Sequence, residues 1–347
     1  MLLANEQEIP SRQSRNAPDL RIERLRTWLD RVCAGSVISF EPASNDASFR
    51  RYFRVTLAER SLIAMDAPPA TENIRSFVRV AALFRKAGVC VPEIIDFDEE
   101  QGFMLLGDLG FTSYLSRLDI QSAAQLYRDA MNVLNRLHHN IDIQSSGLPD
   151  YDRALLQREV NLFEEWFLNK KLAIGLSDAD KKLFEGVKDF LIDAILKQPR
   201  VVVHRDFHSR NLMVMEGTNP GVLDFQDAVA GPVSYDLVSL LRDCYIAWPE
   251  AAVEGWAREF HSSLDSRAIG FEEFYRGFDL TGLQRHLKAV GIFSRLYIRD
   301  GKSGYLQDIP RTLGYVQAVC AKYSELSFLH HVIETQVAEG TERILPS

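Results

Sequence analysis

Apolar residues recur along this chain with two periods, and the period changes near residue 35 and again near residue 107. Ile22, Leu25, Leu29 and Val32 lie at helical spacing, which predicts an amphipathic helix over 20–33 ending near Gly35. Shorter alternation follows. VISF (37–40), FRRYFRVTL (49–57) and SLIAMD (61–66) are predicted strands, with PASNDAS as the turn between the first two and Pro68-Pro69 closing the run. Residues 72–87 put Ile74, Phe77, Ala81 and Phe84 on one helical face, with Gly88 as the stop. EIIDF (93–97) and FMLL (103–106) are two more short strands around the polar turn DEEQG. Beyond Gly107-Asp108-Leu109-Gly110, residues 119–139, 152–172 and 177–198 carry the 3.6-residue period of helices. A β-rich insert comes next, VVV (201–203), LMVM (212–215) and VLDF (222–225), and four or five helices fill 235–338. Residues 1–18 are polar and aperiodic, a tail expected to be disordered. The expected division is a small strand-rich lobe over 19–107 and a large helical lobe over 108–347.

Composition narrows the class. At 347 residues, with 46% hydrophobic and 25% charged positions, the chain is an ordinary globular protein of two domains or lobes. No apolar run approaches the roughly 18 residues of a membrane span. The start, MLLANEQEIP, lacks the charged and apolar regions of a secretory signal. A formal net charge of −8 argues against a general nucleic-acid coat. Cys33, Cys90, Cys244 and Cys320 lie far apart with no zinc spacing, as expected of free thiols in the cytoplasm. No obligate protein partner is evident.

The stretch that carries chemistry is His204-Arg205-Asp206-Phe207-His208-Ser209-Arg210-Asn211, followed by Asp224-Phe225-Gln226. Valines before it and LMVM after it put the octapeptide in a tight loop between strands, where Asp206 and Asn211 can face one cleft and Asp224 can join them from the neighbouring rung. Two carboxylates and an amide oxygen, with no soft ligand, suit Mg²⁺ and nucleotide phosphates, and leave one carboxylate to accept a proton from a hydroxyl nucleophile. The plainer alternative is a structural hairpin whose Asp and Asn only bond the turn; H-x-D-x-x-x-x-N with D-F one hairpin later weighs against it.

HRDFHSRN…LDFQDAVAGPVSYDL resembles the catalytic core of the aminoglycoside-phosphotransferase and choline-kinase-like small-molecule kinases. With MDAPP, ASFRRYFRV and GDLG in order, the chain is most similar within that family to the group phosphorylating the anomeric hydroxyl of N-acetylmuramate or N-acetylglucosamine in cell-wall sugar recycling. The resemblance implies an α+β, bilobal, protein-kinase-like fold, with a nucleotide-binding N-terminal lobe and a catalytic, sugar-binding C-terminal lobe. It implies ATP and Mg²⁺ between the lobes and a small-molecule amino sugar as acceptor. Asp206 then matches the catalytic base, and Asn211 and Asp224 match the metal ligands. His204 matches a bracing histidine, and Asp236 an acid capping helix and loop. Leu137-His138 resembles the pair ending the helix before the core, and Leu106-Gly107-Asp108-Leu109 the hinge that receives the adenine.

The departures are specific. The third strand, Leu62-Ile63-Ala64-Met65-Asp66, has no lysine, and S-N-D-A-S-F-R-R (44–51) has no glycine for a phosphate lid. Phosphate contacts then fall to backbone N–H groups of 45–49, including Phe49, to the Ser48 hydroxyl, or to arginines. Arg50 and Arg54 share a strand face, toward a cleft or toward solvent, and Arg51 takes the other. Arg210, one residue before Asn211, is a sharper candidate to hold a phosphoryl or substrate oxygen. DFQ in place of D-F-G, with no A-P-E after it, argues against a peptide substrate. For the lactyl carboxylate of muramate the candidates are Arg210, Arg242, Arg295 and Arg299; Trp166, Tyr245, Trp248 and Trp256 either stack on a sugar or pack the core. Two alternatives stay open: an aminoglycoside- or choline-type kinase, and a catalytically silent nucleotide-binding module.

Overall fold

The computed structural model describes residues 19–44, 49–264, 269–340 and 344. The predicted tail and Ser48 lie outside the described residues. Contacts divide the chain into two units, the first reaching Ile74 and including Glu93–Asp108, the second made of Arg75–Pro92 and everything from Leu109 on.

The first unit is helix α1 (Leu20–Val32) on a five-stranded antiparallel sheet of order β1-β2-β3-β5-β4, formed by β1 (Ser39–Ser44), β2 (Arg51–Thr56), β3 (Ser61–Asp66), β4 (Ile94–Asp98) and β5 (Phe103–Gly107). Alternation decides what is buried: Phe53, Val55, Leu62, Ala64, Phe103 and Leu105 share the face that receives Leu25, Trp28 and Leu29 of α1. Asp19 caps α1 through the N–H groups of Arg21 and Ile22. Buried Asp66 ties helix to sheet by accepting from Arg21 (2.9 Å) and Arg51 (3.0 Å). β1 continues through Pro42-Ala43-Ser44, where a turn is predicted, because Pro42 and its neighbours pair with β2 on an edge strand that tolerates proline.

The second unit begins with α2 (Ile74–Lys86), which a cut at residue 107 would leave with the sheet. Its apolar face explains the difference: Phe77 and Phe84 pack on Phe225 at 4.7 and 5.8 Å between ring centroids, and Ser76 donates to the Gln226 carbonyl at 2.7 Å. Helices α3 (Tyr114–Arg117), α4 (Ala123–Asn140), α5 (Arg153–Leu162) and α6 (Asp178–Leu196) follow. The single helix predicted over 152–172 changes to π geometry over Phe163–Lys171, beside the crossing with α9 (Phe271–Asp300), where a Cβ at Gly291 would sit 2.4 Å from the Leu162 carbonyl carbon. Strands β6 (Arg200–Val203) and β9 (Val229–Pro232) pair with each other, and β7 (Leu212–Met213) pairs with β8 (Gly221–Val222). The strands flanking the octapeptide are therefore not partners, and Asp224 and Phe225 lie past the end of a two-residue strand. Helices α7 (Tyr235–Leu241), α8 (Glu250–Ser263), α10 (Ile309–Cys320) and α11 (Ser327–Val332) complete the unit around α9. No helix among the described residues is long and apolar enough to cross a membrane.

Candidate active site

The loop after β6 is held mainly by its backbone. Asp236, buried at the start of α7, accepts from the N–H groups of His204 (2.6 Å) and Arg205 (3.0 Å). These bonds support Arg205 in the left-handed region (φ 80°), which a side chain this bulky rarely adopts. The Asp206 N–H donates to His204 Nδ1 (3.2 Å), so that nitrogen is the acceptor, and Nε2 carries the proton it donates to the Leu223 carbonyl (2.9 Å). Burial holds His204 neutral, with its pKa down at about 4. One imidazole thus braces both segments of the motif.

The other carbonyls finish the frame. The Asp206 carbonyl receives the His208 N–H and the Asn211 side-chain amide, each at 3.0 Å. With its NH₂ spent there, Asn211 keeps its side-chain oxygen as an acceptor. The Leu223 N–H donates to the Asn211 carbonyl (2.9 Å), which seats the residue before Asp224 against Asn211. Asp224 is itself left-handed (φ 60°), and one of its oxygens accepts from Gln226 at 2.7 Å. Asp206, Asn211 and Asp224 are half-buried. Among the described residues no group of three His, Cys, Asp or Glu side chains forms a cation cage. The Asn211 side-chain oxygen and the Asp224 carboxylate offer hard oxygen donors of the kind Mg²⁺ takes together with phosphate and water.

Burial raises the proton affinity of Asp206, but Lys288, His208, Arg205 and His204 outweigh it and hold its carboxyl at about 2. His208, like His204, is pushed below the usual range by burial, so the standing positive charges at neutral pH are Lys288 and Arg205. Both belong to a buried network. Glu159 of α5 accepts from Arg205, from Lys288 (3.0 Å), from Gln284 (3.3 Å) and from the Tyr151 hydroxyl, and Lys288 also reaches the Tyr235 hydroxyl (3.3 Å). The sequence reading missed Glu159 and Lys288. The available signal was a lone acid between the apolar Leu156 and Val160 of α5, but nothing in the sequence pairs it with a lysine more than a hundred residues away.

The remaining candidates lie as follows. Arg210 rests on the Tyr245 ring, its guanidinium carbon 3.5 Å from the centroid, with Asp308 3.9 Å away. Leu109 packs on Gly221, where a Cβ would lie 2.8 Å from its methyl. Phe49, Arg50, Leu106 and Asp108 belong to the first unit. Phe49 is exposed, Arg50 pairs with Glu72 (2.9 Å), and Leu106 is paired within the sheet. The Asp108 carboxylate is bound by Arg54 (2.7 and 3.1 Å) and by the Ser61 hydroxyl (2.7 Å). Arg54 therefore faces Asp108 while Arg51 turns to Asp19 and Asp66 on the α1 side. Trp248 and Trp256 pack edge-on against Tyr127, and Trp166 lies under the Lys170 ammonium.

Buried neutral histidines set the acid limb of stability. Burial lowers His138 and His286 to about 3 and His204 to about 4, so between pH 6.5 and about 4 the unfolded chain binds protons that the folded chain refuses. Each contributes stability that is present above pH 6.5 and is lost, by up to about 1.4 kcal/mol per pH unit, as pH falls. Asp236, raised by burial to about 7, works oppositely, losing stability as pH rises from its ordinary value toward 7. Four histidines lowered by burial, His208 included, act against the raised carboxyls of Asp236 and Asp308, which predicts a melting temperature that drops from pH 6.5 to 4.5. His286→Gln, which keeps a donor for the Arg242 carbonyl, should flatten that drop by one histidine's share. A flat wild-type profile over the window would contradict the assignment.

The fold and this loop define a phosphotransferase of the protein-kinase-like class. Among solved structures the chain is similar to a choline kinase of Streptococcus pneumoniae (TM-score 0.62, 12% identity, 88% of this chain and 100% of that one). It is also similar to an ADP-bound aminoglycoside phosphotransferase (TM-score 0.56, 15% identity, 84% and 97%). Residues 39–271 match the phosphotransferase enzyme family, and the chain belongs to it. It is 44% identical over 332 residues to the N-acetylmuramate/N-acetylglucosamine kinase of Pseudomonas putida, spanning 91% of this chain and 96% of that protein. It is 41% identical over 327 residues to the enzyme of that name in Neisseria meningitidis serogroup B, spanning 91% and 96%.

Proposed function

We propose that this chain transfers the γ-phosphoryl group of ATP to the anomeric hydroxyl of an N-acetylated amino sugar, N-acetylmuramate or N-acetylglucosamine. The observation that carries the reading is the similarity, over nine tenths of the chain, to relatives bearing those sugars in their names, with Asp206, Asn211 and Asp224 all present. Asp206 is the acceptor that orients the attacking hydroxyl and takes its proton as the bond to phosphorus forms. The anomeric hydroxyl is the most acidic on the ring, which suits a carboxylate of low basicity. Asn211 and Asp224 would hold Mg²⁺, which when bound offsets charge on the phosphoryl oxygens. Phosphoryl transfer asks for position and electrostatics rather than a covalent intermediate, so a loop held by its backbone suits it. The nucleotide is a cytoplasmic metabolite, and we assign the reaction to that compartment.

A coupled ADP-release assay over amino sugars, aminoglycosides and choline tests the reading, with the phosphorylated position read by phosphorus NMR. The expected result is turnover with the two N-acetylated sugars and a 1-phosphate product. Turnover with an aminoglycoside or choline alone would reject it. Asp224→Ala is expected to abolish Mg²⁺-dependent nucleotide binding in titration calorimetry; binding equal to wild type would remove Asp224 from the metal site.

A further inference from the structure

We propose that Arg210 is the residue that selects a carboxylate-bearing acceptor, and that Asp308 is its resting partner, displaced from it electrostatically when the acceptor's carboxylate arrives. The inference rests on the amino-sugar reading above and specifies how the site distinguishes an acceptor with a lactyl carboxylate from one without.

The guanidinium of Arg210 is placed but not satisfied. It lies on the face of Tyr245 at 3.5 Å, with Tyr305 at 5.8 Å. Asp243 fixes this platform to the catalytic loop by accepting from the N–H groups of both Ser209 and Tyr245, each at 2.9 Å. Its nearest anion, Asp308 Oδ2, is 3.9 Å away, beyond hydrogen-bond range, and no described residue accepts a hydrogen bond from the Arg210 side chain. Asp308 is 5% exposed, and its Oδ2 has no hydrogen-bond partner, while its other oxygen takes Arg311 at 3.0 Å. A planar cation with open donors, two-fifths exposed and one residue from Asn211, is matched in geometry to a carboxylate.

The other arginines are committed or elsewhere. Arg242 is buried against Asp279 (2.7 Å) and Glu250 (2.7 Å). Arg299 is bound to Asp300 at 2.8 and 2.9 Å. Arg311 is spent on Asp308 and on the Cys244 carbonyl (2.8 Å). The charges around Arg295 are Arg299, Asp300 and Glu165, none of them in the catalytic loop.

The test compares kcat/KM for N-acetylmuramate, which has the carboxylate, with that for N-acetylglucosamine, which lacks it. A charge-assisted hydrogen bond contributes about 1.5–3 kcal/mol, so Arg210→Gln should lower the muramate-to-glucosamine ratio by about 10–150-fold, mostly through KM for muramate. Arg210→Lys, keeping charge without the fork, should recover part of it. Asp308→Asn keeps the shape and the acceptor for Arg311 but removes the competing charge, so it should raise the ratio, by about threefold or more. A purely structural role would move both variants the same way. Equal losses for both sugars in Arg210→Gln would give the guanidinium to the transferring phosphoryl group and overturn the proposal, as would a ratio that falls in Asp308→Asn. Wild-type protein inert toward both sugars would instead sink the amino-sugar reading, and this inference with it.

Discussion

Replacing Asp206 by asparagine is expected to lower turnover by about 10²–10⁴-fold while leaving the fold intact. Losing the carboxylate that Lys288 and Arg205 attract lowers the melting temperature. The loop keeps its shape because the bonds that hold residue 206 come from its backbone: its N–H to His204, its carbonyl from His208 and Asn211. Asparagine reproduces all of them. It cannot take a proton, and it can present its NH₂ where the hydroxyl needs an acceptor. The carboxyl's low proton affinity does not count against the role. In a loose, metaphosphate-like transition state the nucleophile gives up its proton late, so the carboxylate's first task is to fix the direction of attack. With its pKa near 2, essentially every molecule carries the ionised form at neutral pH. The decisive measurement is kcat in the coupled assay alongside nucleotide affinity by calorimetry. A variant within about threefold of wild type in kcat would take Asp206 out of the chemistry.

The loop proposed to be catalytic could be located in the chain because the residues that form it are local. Six positions of one strand-flanked segment, with one acid a short hairpin further on, place three oxygen-bearing side chains without long-range information. The bracing role of His204 and the capping role of Asp236 follow the same logic, and the hydrogen bonds bear both out. Strand pairing was not legible. VVV and LMVM look like neighbours in sequence, yet β6 pairs with β9 beyond Asp224, because pairing is decided by which buried face each strand can share. The arginines of β2 were legible as alternating faces and illegible as pairs: their partners, Asp66 and Asp108, are 15 and 54 residues away. The helix α9 shows the limit most clearly. Asp279, Thr281, Gln284, Arg285 and His286 are buried along with its apolar residues, so no polar face marks which of them reach toward the catalytic loop.

Glu159 is where that hidden network should fail most visibly. Glu159→Ala is expected to destabilise the protein by about 3–5 kcal/mol, the range for removing one partner from a buried ion cluster. The size follows from what would be left behind. Arg205 and Lys288, 18% and 11% exposed, would keep their charges with only the Asp206 carboxylate left to offset them, and the Tyr151 hydroxyl would lose its acceptor. Glu159 carries its charge despite near-complete burial because Lys288 and Arg205 more than offset the desolvation and keep its pKa below the ordinary value. Its contribution is therefore present above the ordinary glutamate range and is lost as pH falls through the lowered pKa. Glu159→Gln should cost less, since the amide oxygen still accepts from Tyr151 or Gln284, although the two cations keep only Asp206 as a counter-charge. Arg205 is both a member of the cluster and the residue before Asp206, so the alanine variant should also lose turnover under conditions where it remains folded. Urea titrations of wild type and both variants, with activity measured below each transition, separate the two effects. Overlapping unfolding midpoints for Glu159→Ala and wild type would mean that the cations find other compensation and that the network does not hold the loop.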